Sequence, residues 1–139
     1  MKFHEATAPA IRSLDHDSTM IVLPLAAVEQ HGPHMPTGTD TILCGAIAEE
    51  VEERSPDKVF LLPTLWLGAS QHHLPWQATL TAELPTYETT LCEILEPLLK
   101  NGFRRVLLLN GHGGNIDPMR VALRRLQPEY PEVLLTAGS

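Results

Sequence analysis

Short apolar runs alternate along this chain with stretches whose apolar residues recur at helical spacing. Met20 to Ala27 (MIVLPLAA) is a continuous apolar run, the pattern of a buried strand. Pro24 within it has no N–H to give a ladder and predicts a strand end or an edge position. Thr39 or Asp40 is placed to cap a helix running to about Arg54, with Ile42, Leu43, Ala46, Ile47 and Val51 at helical spacing. Val59 to Leu67 reads as a second strand that runs into a loop. Gln77 to Leu84 is expected to be a short strand, because Thr79, Leu80 and Thr81 are good β-formers. Tyr87 to Lys100 is helical by pattern, with Leu91, Ile94, Leu95, Leu98 and Leu99 on one side. Pro97 is expected to kink or shorten that helix, and Asn101-Gly102 is a natural stop. Arg105 to Asn110 (RVLLLN) is the clearest strand. A helix from about Asp117 to Leu126 follows, with Pro118 in its first turn, and Val133 to Thr136 is the last strand.

The series β-α-β-(β)-α-β-α-β predicts an α/β domain with a mostly parallel, helix-covered sheet. At 139 residues, one domain spanning 1–139 is the expectation. The chain stops directly after the last strand, with no further helix to cover it. That reads as a C-terminally shortened version of a longer fold.

Composition narrows the function classes. The formal net charge of −7 repels phosphate backbones and anionic lipids, so neither a nucleic acid nor a membrane is an expected partner. Arg104, Arg105, Arg120, Arg124 and Arg125 read as a solvated strand edge and helix face. Cys44 and Cys92 stand far apart in apolar surroundings and read as small buried hydrophobes, not as a disulfide or a zinc pair. The N-terminal residues lack the apolar core of a signal peptide. No run approaches the roughly 18 apolar residues of a membrane span. A cytoplasmic protein is the expectation.

Two segments carry chemistry. Glu29-Gln30-His31-Gly32-Pro33-His34-Met35-Pro36-Thr37-Gly38-Thr39-Asp40 follows the first strand directly, where ligands bind in an open α/β sheet. Glu29 and His31 are two apart, so in extended chain they face one side. Gly32, Pro33, Pro36 and Gly38 define a tight path that can return Asp40 toward them. The second segment, Asn110-Gly111-His112-Gly113-Gly114-Asn115, again follows a buried strand, and adjacent parallel strands would bring His112 near the first group. A mixed nitrogen and carboxylate set suits zinc, manganese or iron better than calcium or magnesium. Taken singly, each residue has a plainer reading. Asp40 can cap a helix, His34 can be a turn residue bonded to backbone, and His112 can bind phosphate or substrate. The glycine-rich loop can also be an anion cradle, although it lacks the lysine and spacing of a P-loop.

Together the two segments resemble the creatininase (creatinine amidohydrolase) family. That family's hallmark is similar to Glu29-Gln30-His31-Gly32-Pro33-His34-Met35-Pro36 with Thr39-Asp40, Met35 standing for leucine, and to Asn110 through Asn115. Gly68-Ala69-Ser70-Gln71-His72-His73-Leu74-Pro75 resembles the family's Gly-x-Ser-x-x-His loop. The likeness runs from about residue 15 to 136. It implies a three-layer α/β/α domain with two divalent metals, zinc or manganese, with iron also possible. By the resemblance Glu29 and His112 bind one metal, His31 binds the other, and Asp40 bridges both. A water between the cations would attack the carbonyl of a small-molecule substrate at a non-peptide C–N bond, of cyclic amide or formamide type. His73 and His34 are the candidate catalytic histidines, with His73 near substrate or metal by the family loop. The resemblance further implies a homo-oligomer.

One departure concerns the second metal. In some family members a glutamate two residues after the motif histidine completes it, and here that place is Gly114. In others the glutamate comes from a His-Ala-Gly-x-x-Glu segment further along, which these residues do not contain. Asp117 is a weaker substitute, since it also suits a helix start. Either one or two ions per chain is therefore expected. The competing reading is a catalytically inactive metal-binding or assembly subunit.

Overall fold

A computed structural model describes residues 1–139. Its strands are β1 (Met20–Leu25), β2 (Val59–Leu61), β3 (Arg105–Asn110) and β4 (Leu134–Gly138). They form one sheet in the order β2-β1-β3-β4, parallel at every junction. The helices are α1 (Ala8–Arg12), α2 (Thr39–Arg54), α3 (Leu84–Lys100) and α4 (Ile116–Leu126). The predicted α/β class with a parallel, helix-covered sheet is the one observed.

Strand alternation sorts the core into two layers. Ile21, Leu23 and Leu25 of β1 and Val106 and Leu108 of β3 pack with Leu91, Leu95 and Leu98 of α3 and Met119, Ala122 and Leu126 of α4. Each of the larger side chains among them, fully buried, contributes about 1.5–3 kcal/mol. The opposite face is thinner: Val22, Val59 and Leu61 pack on Ala48 of α2. The connection through α2 therefore lies on one face, and those through α3 and α4 on the other. The chain leaves β1 and β3 toward opposite faces, which opens a crevice at the carboxyl ends of these two central strands.

Pro24 is near a strand end, as expected, but β1 is central, not an edge. Leu62 N donates to Val22 O and Leu65 N to Pro24 O, so the even-numbered residues of β1 turn toward β2. The β1–β2 ladder ends at Val22 and Leu61, so the missing N–H of Pro24 costs no strand pairing. Two strand expectations, for residues 59–67 and 77–84, need correcting. The second strand is shorter than Val59 to Leu67, ending at Leu61. Residues 77–84 form no strand. Gln77 and Ala78 both take positive φ, and Leu80 makes only an isolated bridge to Val28. Finally, the apolar stripe of α2 faces outward. Ile42, Leu43, Ile47 and Val51 are exposed, and the helix buries Cys44, Ala48 and Glu52 instead. Glu52 is tolerated there because the N-terminal ammonium of Met1 lies 2.5 Å from its Oε1.

Helix α3 begins three residues before the expected Tyr87, with Pro85 in its first turn, where no N–H is needed. Pro97 falls in the last turn, so the helix still reaches Lys100. Gly102 then takes φ +101°, a value open to glycine at little cost, and ends it.

Candidate metal centre

The crevice between β1 and β3 gathers the predicted residues. Beyond Leu25 the chain stays extended through buried Ala26 and Ala27 and delivers Glu29, only 4% exposed, under the loop. Glu29 N donates to Thr37 O, which closes the 30–36 excursion into a loop. That closure returns the chain to α2, and Thr41 Oγ1 donates to Ala27 O, pinning the first turn of α2 against the end of β1. Neither Thr39 nor Asp40 caps the helix. Gly38 is the cap residue, and the Asp40 carboxylate is free to face the crevice.

From β3, Asn110 shapes the next loop: its Oδ1 accepts from His112 N and its Nδ2 donates to His112 O. Gly111 passes α2 so closely that a Cβ there would stand 2.6 Å from the Cβ of Cys44. His112 is thereby buried, at 5% exposure, in the centre of the cluster.

Asp40 spans two histidines, His31 and His112. Its Oδ1 lies 3.2 Å from His31 Nε2, and its Oδ2 lies 3.0 Å from His112 Nδ1. Glu29 Oε1 adds a contact of 3.3 Å to the same Nδ1. The far nitrogens are held by backbone carbonyls, which only accept. His31 Nδ1 donates to Glu29 O at 3.1 Å, and His112 Nε2 donates to Ala69 O at 3.2 Å. In the neutral rings the lone pairs of His31 Nε2 and His112 Nδ1 therefore point at carboxylate oxygens. Glu29 Oε2 is buried with no hydrogen-bond partner at all. Lone pairs facing lone pairs, with an orphaned buried carboxylate oxygen beside them, are the arrangement a cation resolves. The donor set of imidazole and carboxylate suits zinc or manganese. Glu29, His31 and Asp40 form one group able to hold an ion; Glu29, His72 and His112 form another.

The two predicted catalytic histidines part company. His73 stands at the rim: Gln30 Nε2 donates to its Nδ1 at 2.7 Å, leaving Nε2 to carry the proton, 3.6 Å from Glu29 Oε1. Its ring packs at a tilt against Trp76, centroids 5.7 Å apart. His34 is exposed on the turn after Gly32 and makes no hydrogen bond to the cluster. The turn needs Gly32, at φ +70°, and carries His34 outward. Asp117 is exposed in the first turn of α4 and belongs to neither ion-holding group.

Three supporting residues escaped the sequence reading. Asn115 is fully buried; its Oδ1 accepts from Ala69 N and its Nδ2 donates to Ala26 O, both at 3.0 Å. It thus ties the loop that bears Ala69 to the end of β1. Ser70, also fully buried, places Oγ 3.1 Å from His112 Nε2. Asn115 had a signal, as the last residue of the glycine-rich motif. Ala69 acts through its backbone carbonyl, which leaves no mark in sequence. Cys44, beside the site, belongs to neither ion-holding group. Burial pushes its thiol up, and it points at Leu25 O and Leu109 O.

Comparison with known proteins shows the family. The Creatininase family model, described as creatinine amidohydrolase, matches residues 4–138. A mycofactocin precursor peptide peptidase of Mycolicibacterium smegmatis is 31% identical over 85% of this chain and 49% of its own length. A 3-dehydro-scyllo-inosose hydrolase of Thermotoga maritima is 31% identical over 80% of this chain and 35% of its own. Among solved structures, a mutant creatininase of Zn-Zn type superposes with TM-score 0.79 at 27% identity, over 99% of this chain and 57% of that one. One described as creatininase Mn gives TM-score 0.78 at 26% identity, over 97% and 57%. The chain thus spans about half the length of the relatives it matches. No helix is long and apolar enough to cross a membrane. With the family's motifs converging in one crevice and its model matched almost end to end, the chain belongs to the creatininase family.

Proposed function

We propose that the crevice between β1 and β3 is a divalent-metal centre, zinc or manganese, serving hydrolysis of an amide-type C–N bond in a small molecule such as a cyclic amide or formamide. The observation that carries the reading is Asp40. It offers one oxygen to each of two histidines whose lone pairs face it, beside the orphaned Oε2 of Glu29. Glu29, His31, Asp40 and His112 are the ligands. When bound, the metal supplies Lewis acidity, which activates water at neutral pH and polarises a carbonyl. The rest falls to the chain. Ala69 O and Glu29 O hold the ligand imidazoles in the required tautomers. His73, oriented by Gln30, holds a proton on Nε2 at the rim, where a departing amine would take it.

The relatives' names range from a peptide peptidase to a hydrolase of 3-dehydro-scyllo-inosose. A substrate screen should therefore include cyclic amides, formamides and short peptides, run on zinc- and manganese-loaded protein. Turnover that Asp40→Ala abolishes supports the reading. Stable metal binding without turnover of any of these would favour the inactive assembly subunit.

Assembly has its own support. Ile42, Leu43 and Ile47 stand 58–60% exposed along α2. Apolar surface of that kind marks an interaction site, and we infer that it seats a second copy of the chain.

A further inference from the structure

We propose that His72 is a metal ligand, forming with Glu29 and His112 a second cation position beside that of Glu29, His31 and Asp40. The inference rests on the reading of the crevice as a metal centre and adds a ligand to it.

A nitrogen of His72, a nitrogen of His112 and a carboxylate oxygen of Glu29 all lie within 4.8 Å of one another. Glu29 is the pivot, because its Oε2 is buried and pairs with nothing. His72 itself is exposed and makes neither a hydrogen bond nor an ion pair, so nothing in the chain engages its ring nitrogens. It is nonetheless held in place. Its ring lies nearly parallel to that of His112, at 11° with centroids 6.0 Å apart, and tilts against His73 at 4.4 Å.

The backbone beneath it is pinned from three directions. Ala69 N donates to Asn115 Oδ1, Ser70 N donates to Thr81 Oγ1 at 2.8 Å, and His73 N donates back to Ser70 O. Gly114 then keeps the space open. A Cβ on Gly114 would stand 2.1 Å from Ala69 O, 2.6 Å from His112 Nε2 and 3.2 Å from His72 Cε1. Any side chain there would push the His72 loop away from His112. The sequence thus combines a glycine at 114 with an imidazole at 72 that occupies the neighbouring space.

The donor chemistry selects the ion. Two imidazoles and one carboxylate are a set that zinc accepts while keeping a position for water or substrate. Magnesium and calcium prefer all-oxygen surroundings. The position is therefore one for zinc, or another metal that takes imidazole, in preference to magnesium.

The test is zinc titration of the full chain by calorimetry, with elemental analysis after dialysis, on wild type, His72→Ala and Asp40→Ala. X-ray absorption on the zinc-loaded samples counts coordinated imidazoles. Because His72 is exposed and unbonded, His72→Ala should fold as wild type does. The expected result is one ion fewer in His72→Ala, or a zinc affinity weakened by more than the roughly 10–100-fold that loss of an outer-shell partner costs, with fewer imidazoles per zinc. Unchanged stoichiometry, affinity and imidazole count in His72→Ala would overturn the inference. If Asp40→Ala still lost metal in that case, the proposed metal centre would stand without His72. Wild type that takes up neither zinc nor manganese would overturn both.

Discussion

Asp40 and His112 are 72 residues apart in sequence, yet Asp40 Oδ2 lies 3.0 Å from His112 Nδ1. Two local devices make the contact. The first turn of α2 is pinned to β1 through Thr41, which aims Asp40 inward. The Asn110 clamp and the passage of Gly111 against Cys44 aim His112 outward from β3. The pairing of β1 with β3, Leu25 opposite Asn110, sets the two loops at one height.

Asn115 should prove structural and necessary. Asn115→Ala leaves the N–H of Ala69 and the carbonyl of Ala26 without their partner. Both are buried, so the expected loss is about 2–4 kcal/mol in urea unfolding. Asn115→Asp should fail too, since an ionised carboxylate cannot donate to Ala26 O. A loss within experimental error would mean the loop is held some other way.

The two central glycines of the second motif should respond differently. A Cβ at Gly114 would meet Ala69 O at 2.1 Å, whereas at Gly113 it would meet nothing within 4 Å. Gly114→Ala is expected to cost about 1–3 kcal/mol or more, and Gly113→Ala to be neutral or slightly stabilising. Equal thermal midpoints for the two variants would contradict the packing described.

Alkaline pH should weaken the fold. Burial raises the thiols of Cys44 and Cys92 above their ordinary 9.0, and raises the Tyr87 hydroxyl as well. A raised value in the folded state means that the unfolded chain releases its protons first. Stability is therefore intact below about pH 9 and falls as pH rises beyond it. Urea midpoints measured at about pH 8 and about pH 10 should differ in that direction. A higher midpoint at the more alkaline pH would refute the assignment.

The outward stripe of α2 should control association. Light scattering should give a particle heavier than the 15.3 kDa chain. Ile47→Lys, at a position 58% exposed, should lower that mass without lowering the unfolding midpoint. A monomeric wild type would remove the case for self-assembly.

The sequence was most legible where one physical demand dominated. Arg105–Asn110 is buried on alternate residues, and its apolar run needed no other information. The clustering of Glu29, His31, Asp40 and His112 was legible because all four lie in dense motifs at strand ends. Legibility failed where tertiary context overrode local preference. Thr79 and Thr81 have β propensity, but positive φ at Gln77 and Ala78 breaks the ladder, and both hydroxyls serve loop backbone. The stripe on α2 had helical period, yet the residues the helix buries are Cys44, Ala48 and Glu52. His34 sits inside the same dense motif, and only the turn at Gly32 separates it from the cluster. His72 and His73 are indistinguishable by type. What separates them is that Gln30 engages His73, and the space beside Gly114 admits His72.

The most direct test of the central claim is metal content per chain by elemental analysis. Wild type, Asp40→Ala and His112→Ala would each be loaded with zinc or manganese and dialysed. The account predicts bound metal in wild type and its loss in both variants. Metal absent from wild type, or retained equally by all three, would contradict it.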